Sequence, residues 1–283
     1  MKLMRIGPKG QERPAVLVEG RVLDVASHVV DFDRTFFEED GLGLLREMIA
    51  AGQLAELDVR GRRIGAPVAR PGQIFCIGIN YADHASESSL TIPPEPLVFG
   101  KSAHTVVGPN DDVHLPRGST KTDWEVEIGV IIGRRARYLG SPEDALDCIA
   151  GLAISHDVSE REWQLERHGQ WIKGKSFETF NPLGPWLVTL DEIADLGALT
   201  LELDVNGEAR QRGSSKDMVF DIPYLIYYLS QFTVLEPGDL INTGTPAGVG
   251  LGMAPPQYLK ANDVVDLRIG GLGAQRQSIV PAP

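Results

Sequence analysis

The chain has 283 residues, 42% hydrophobic and 23% charged, and its 27 Lys and Arg against 39 Asp and Glu leave a formal charge of -12 at pH 7. That length is enough to bury a substantial core, as one large domain or a main domain with an appendage. The negative balance argues against an extended nucleic-acid or anionic-membrane surface. The opening MKLMRIGPKGQERP becomes charged before any signal-peptide core develops, and no apolar run reaches the ~18 residues a membrane span needs. A cytoplasmic protein is therefore expected. Cys76 and Cys148 are too few for a disulfide framework or an all-cysteine metal site and read as small core residues.

In chain order, residues 3–28 carry PAVLVEG and RVLDVA around a Glu-Gly turn, which predicts a small hairpin. Leu44, Leu45, Met48, Ile49, Leu54 and Leu57 predict an amphipathic helix within 42–57. Arg70-Pro71-Gly72 opens a second region, giving an expected small α+β domain over 1–69 and a main domain over 70–283. Trp124 to Gly133 is the strongest strand, alternating at first and then continuously apolar, as expected where a pocket edge passes under cover. Ser141-Pro142-Glu143-Asp144 has the composition of a helix start. Asn206-Gly207 after LELDV predicts a tight hairpin, Val219 to Phe232 a helix begun or interrupted at Pro223, and GTPAGVGLG a glycine-rich loop. Strands with brief irregular helices do not form repeated βαβ units, so the fold class expected is mixed α/β, mainly β.

Gly169 to Ser176, GQWIKGKS, satisfies the phosphate-loop pattern G-x-x-x-x-G-K-S. Such a loop needs small residues between its glycines and a buried strand leading into a helix. Gln170, Trp171, Ile172 and Lys173 are bulky, charged EREWQLERH precedes them, and Pro182 follows. A nucleotide is not expected; Lys175 could instead present one positive charge to a small carboxylate or enolate.

Glu125 and Glu127 flank Val126, and the period of a strand aims both to one face. Crowded carboxylates raise each other's pKa unless a cation compensates, and a hard ion such as Mg²⁺ does so through oxygen ligands at about 2.1 Å. Asp157, isolated after another apolar run, is a candidate third ligand; a wet strand face is the competing reading of Glu125 and Glu127. His84 and Glu87 share one face of a helical turn, where Glu87 could orient the imidazole and His84 take a proton from water. A surface i,i+3 pair is the competing reading there. His156 adjoins Asp157, and Arg161, Gln164 and the Thr243-Gly244-Thr245 hydroxyls could receive a substrate carboxylate, cap a helix or form a turn.

The combination CIGINYADHASE from Cys76, PLVFGKSAHTVVGP from Pro96, DWEVEIGVIIG from Asp123, HDVSEREWQ from His156, GQWIKGKSFETFNPLGPWLVT and INTGTPAGVG closely resembles the fumarylacetoacetate hydrolase family over about residues 70–280. Its longer blocks are most similar to the bacterial branch acting on 2,4-diketo-3-deoxy sugar acids, the fuconate or rhamnonate derivatives, often labelled ureidoglycolate lyase. The resemblance implies a β-sandwich or β-roll catalytic domain behind a small N-terminal domain, commonly as a homodimer. It implies Glu125, Glu127 and Asp157 as ligands of Mg²⁺ or Mn²⁺, His84 and Glu87 as the lid pair, Lys175 as substrate-binding and catalytic lysine, and Arg161, Gln164 and Thr245 as substrate contacts. One departure is His156 where the family usually has Asn before the metal acid, which would adjust the orientation or pH response of Asp157. The reaction implied is hydrolysis of a 2,4-diketo acid between C3 and C4, with acylpyruvates as related substrates. Oxaloacetate decarboxylation, dienedioate isomerisation and non-catalytic binding of a small acid are the alternatives.

Overall fold

The computed structural model describes residues 1–87 and 91–283. Its strands in chain order are β1 (Lys2–Ile6), β2 (Arg13–Val18), β3 (Arg21–Asp24), β4 (Ile64–Gly65), β5 (Ile74–Gly78), β6 (Leu97–Lys101), β7 (Val106–Val107), β8 (Val113–Leu115) and β9 (Thr122–Asp123). There follow β10 (Val126–Ile132), β11 (Ile149–His156), β12 (Ser159–Glu160), β13 (Asn181–Val188), β14 (Thr200–Val205), β15 (Glu208–Ser214), β16 (Leu240–Asn242), β17 (Val264–Ile269) and β18 (Gly273–Pro281). The α-helices are α1 (Arg34–Glu38), α2 (Gly41–Ala50), α3 (Ala82–Glu87), α4 (Ile172–Lys175) and α5 (Ile222–Ser230).

Among the described residues these strands make two main sheets. The larger runs β3-β2-β1-β13-β11-β10-β16-β5-β6, with β4 on β1 and β7 on β13; the smaller runs β15-β14-β17-β18-β8. The mainly β, mixed α/β class expected from the sequence is the class observed. β1 connects the first 69 residues to the rest, because Lys2 and Leu3 pair with Val188 and Leu187 of β13.

Strand alternation decides which side chains meet. Along β10, Val126, Ile128, Val130 and Ile132 enter a core shared with Leu201, Leu203 and Val205 of β14, Val265 and Leu267 of β17, and Leu225 and Leu229 of α5. Glu127 and Gly129 lie on the other face, where Gly129 approaches Leu240, Leu183 and Ser155. β11 alternates in step: Leu152 and Ile154 enter the same core as Val126, while Ala153 joins the core under the N-terminal strands and helices. A separate apolar cluster there, with Phe32, Phe36 and Leu45, packs against Ile131, Leu183 and Leu240.

Both predicted hairpins form, Val18 pairing with Arg21 and Val205 with Glu208. The helix expected within 42–57 stops at Ala50: Gly52 adopts a left-handed φ of 65°, and the Gln53 N–H returns to the Met48 carbonyl at 3.1 Å. Leu57 then pairs with Val22 instead of continuing the helix. The start read at Ser141 gives only 3₁₀ turns over Glu143–Cys148, with no side-chain cap from Ser141. Asp144 draws the segment back by accepting the Gly140 and Ser141 N–H groups, and the Cys148 carbonyl is already taken by the Gly133 and Arg134 N–H groups, so no length remains for an α-helix. α5 begins at the Asp221 cap, whose side chain accepts the Tyr224 N–H, with proline in the first turn. Among the described residues no helix is long and apolar enough to cross a membrane.

Candidate active site

The N-terminal end of β10, the C-terminal end of β11 and the turn α4 converge on a small cavity of about 40 Å³. His84, Glu125, Glu127, Arg161, Gln164, Lys175 and Thr245 all line it. Asp157 stands just behind, and ligand oxygens of Glu125, Glu127 and Asp157 lie within 4.8 Å of one another. Residues 30 positions apart meet because β10 and β11 are antiparallel and Val126 pairs with His156, so Asp157 follows that pair on the carboxylate face.

All three carboxylates are almost wholly buried. Lys175 donates to Glu125 Oε2 at 2.8 Å and to Asp157 Oδ2 at 2.6 Å. Burial opposes its charge, but Asp157 and Glu125 outweigh that and hold the ammonium above its ordinary range. Glu125 also faces Arg161 Nη1 at 2.8 Å; burial pushes its acid up, and Lys175, Arg161 and His84 pull it net below the usual carboxylate range. Glu127 differs. Burial, then repulsion from Asp157 and Glu125, drives its acid well above the ordinary value, although it accepts the Gly244 N–H at 2.8 Å. A divalent cation among the three would relieve that repulsion, and an all-carboxylate donor set suits a hard ion. The residues present therefore fit a metal, and Lys175 already shows two of them holding a cation.

The turn that carries Lys175 is the phosphate-loop look-alike. It is one helical turn packed so closely on β12 that a Cβ on Gly174 would sit 2.4 Å from the Glu160 carbonyl oxygen. The second glycine of the pattern thus gives room for backbone approach, delivering Lys175 to the acids.

At the rim, α3 presents His84 with Nδ1 3.1 Å from Glu87 Oε1. Glu87 also accepts the Gly248 N–H at 2.8 Å and the Val249 N–H at 3.3 Å, tying the helix to the glycine-rich loop. Thr245 Oγ1 donates to the Val126 carbonyl and accepts from Gln211 Nε2. Arg161 Nη1 donates to Gln164 Oε1, and its Nη2 is buried without a partner among the described residues.

His156 is not where its sequence position suggested. Alternation turns its ring to the opposite face from Asp157, where Nδ1 meets Gln277 of β18 at 3.1 Å. Burial above all pushes its pKa down to about 4. Two residues escaped sequence reasoning. Lys101, buried at the end of β6, donates to Asp157 Oδ1 and to the Phe180 carbonyl. Asp123 accepts from Arg161 Nε and from the Gly250 and Leu251 N–H groups, joining the floor to the loop over it. A charge closing the apolar strand LVFGK was the only local mark of Lys101, and Asp123, in the two-residue strand Thr122–Asp123, had none.

Fold and site together define a member of an enzyme family. Residues 73–280 match the fumarylacetoacetate (FAA) hydrolase C-terminal family, to which the chain belongs. A Burkholderia multivorans protein provisionally named a hydrolase is 50% identical over 279 residues, 98% of each chain. Among solved structures, a fumarylacetoacetate hydrolase from Exiguobacterium antarcticum is 34% identical with TM-score 0.85, covering 100% of both chains. Maleylpyruvate hydrolase from Sphingobium sp. SYK-6, solved with manganese(II) and pyruvate, is 27% identical with TM-score 0.82, again over 100% of both chains.

Proposed function

We propose that the protein is a divalent-metal-dependent hydrolase that cleaves the C3–C4 bond of a 2,4-diketo acid, releasing pyruvate and a carboxylic acid. The observation that carries this reading is the meeting, around one cavity, of a carboxylate trio, a buried lysine and a histidine hydrogen-bonded to a glutamate. Glu125, Glu127 and Asp157 would hold Mg²⁺ or Mn²⁺. When bound, the ion supplies Lewis-acid polarisation and charge stabilisation for the 2-oxo acid end.

The chain's own groups divide the remaining work. Arg161, through Nη2, and Gln164, through its amide N–H groups, receive the substrate carboxylate and keto oxygens, and Thr245 joins them by turning its hydroxyl proton from the Val126 carbonyl. His84, held by Glu87, takes a proton from water as the water oxygen bonds to C4. The C3–C4 electron pair leaves on C3, giving the pyruvate enolate, and Lys175 offsets its negative charge until C3 is protonated. One water is consumed, C4 leaves as a carboxylate and C3 becomes the pyruvate methyl group.

Pyruvate release from acetylpyruvate, maleylpyruvate and the 2,4-diketo-3-deoxy fuconate and rhamnonate acids, with Mg²⁺ and with Mn²⁺, tests the reading. Release from at least one is expected, and none from a folded, metal-bound protein overturns it. Likeness to a Mycobacterium abscessus structure described as a probable 2-hydroxyhepta-2,4-diene-1,7-dioate isomerase, at 31% identity, keeps isomerisation as a second reading. That reaction converts substrate without pyruvate, oxaloacetate decarboxylation evolves carbon dioxide, and binding without turnover would make the protein a small-acid binder. A homodimer is expected, and sedimentation of the purified protein checks it.

A further inference from the structure

Ile79 is a β-branched residue with a φ of 56°, in the left-handed region where such side chains are outliers. It is 8% exposed and lines the active-site cavity. Its conformation is imposed from both sides. Ahead of it, Gly78 ends β5 against Trp171 so tightly that a Cβ would meet the indole at 2.6 Å. Behind it, fully buried Asn80 donates to the Phe220 and Thr243 carbonyls at 3.0 and 2.8 Å and accepts the Phe220 N–H at 2.9 Å. Glycine would hold this turn without the steric strain that a β-branched side chain meets there. The side chain is what the strained position retains.

That side chain joins a wall unlike the rest of the cavity. Ile77, Phe99, Leu165, Trp171 and Leu251 supply the cavity's other apolar side chains, and the carboxylates, Lys175, Arg161, Gln164, His84 and Thr245 its polar ones. The wall is firm: Trp171 packs edge-on to Phe99 at 5.2 Å, and Leu251 is fixed through its N–H to Asp123. Among the described residues it offers no charged group to a second carboxylate and no hydroxyl to a polyol. Burying such groups without partners is costly.

We propose that Ile79 is a specificity-determining residue whose side chain, with those of Trp171 and Leu251, restricts the C4 substituent of a 2,4-diketo acid to a short aliphatic group. The inference rests on the proposed reaction and narrows its substrate to short acylpyruvates, away from sugar-acid and dicarboxylate relatives.

The test uses metal-loaded protein and three substrates: acetylpyruvate, 2,4-dioxohexanedioate and 2,4-diketo-3-deoxy-L-fuconate. Both kcat/KM and calorimetric affinity are measured for wild type, Ile79→Gly and Leu251→Ala. Wild type is expected to favour acetylpyruvate at least about tenfold, the scale on which apolar pockets discriminate. Ile79→Gly should raise KM for acetylpyruvate and shrink that preference while its melting temperature holds or rises, because the turn is relieved. Leu251→Ala should shrink the preference without that gain, which keeps the wall testable if the glycine variant folds poorly. Wild-type preference for the dioate or the sugar acid, or an unchanged ratio in both variants, overturns the inference and leaves the hydrolase reading standing. If no substrate turns over, the hydrolase reading fails separately, and the affinity ratios still decide whether the wall selects aliphatic chains.

Discussion

The floor and the rim of the candidate active site are built on different principles. The floor sets Glu125, Glu127 and Asp157 at the ends of the neighbouring strands β10 and β11, all buried, with Glu125 and Asp157 locked to Lys101, Lys175 and Arg161. The rim sets His84 on a six-residue helix, partly exposed and anchored mainly through Glu87 to two backbone N–H groups. Charges in the floor are therefore structural and chemical at once, whereas the rim can lose a side chain without exposing a core. Substitutions should separate the two.

The largest expected effect is at Asp157. Asp157→Ala removes one carboxylate of the trio and leaves two buried lysines short of an acceptor, and breaking a buried ion pair costs ~3–5 kcal/mol. Metal affinity by calorimetry and the urea midpoint should both fall, with excess metal restoring turnover only in part. Loss of metal affinity with unchanged stability would break the claim that the floor is structural.

Next comes His84→Ala, expected to lower kcat by ~10²–10⁴-fold while metal affinity and urea midpoint stay near wild type. An undiminished kcat across pH would remove His84 from the role of base. Glu87→Gln should fall below that, with a loss of about tenfold, corresponding to the ~1.5 kcal/mol of a weakened charge-assisted bond. Its effect belongs in kcat rather than in metal affinity, and the opposite split would place Glu87 in the floor.

The smallest effect concerns His156, behind the floor. Its ring is held neutral in the fold, with a pKa of about 4 against an ordinary 6.5, chiefly by burial. The unfolded chain takes up that proton first, so this contribution to stability is complete above pH 6.5 and is lost as pH falls toward 4. His156→Asn should flatten the drop in urea midpoint between pH 7 and pH 5. An identical acid drop in the variant would show that other groups control it.

The local parts of this site were legible in the chain. WEVEIG fixes Glu125 and Glu127 on one face because a strand has a period of two, and the same rule aligns His84 with Glu87 one helical turn apart. Asn206-Gly207 and the helix begun near Pro223 depend on residues within four positions of each other, so their turn and helix were readable too. Mainly β architecture followed from the same local alternation.

Tertiary structure alone decided what these pieces meet. Lys101 and Asp157 are 56 positions apart, and β6 and β11 are separated by three strands in the order β11-β10-β16-β5-β6; they meet because β7, just after Lys101, returns to pair β13 beside β11, and Asp123 reaches Gly250 across 127 positions. His156 and Asp157 show the same limit at the shortest range, since adjacency in a strand places neighbours on opposite faces and sends one to Gln277, the other to Lys175. The left-handed Ile79 has no mark of its own in CIGINYADH; it arises because Trp171 packs on Gly78 while Phe220 and Thr243 hold Asn80, all from positions more than 80 residues further along the chain. Backbone geometry sets period and face within a segment, whereas burial, ion pairing and strain are properties of contacts that exist only once distant strands have been assembled.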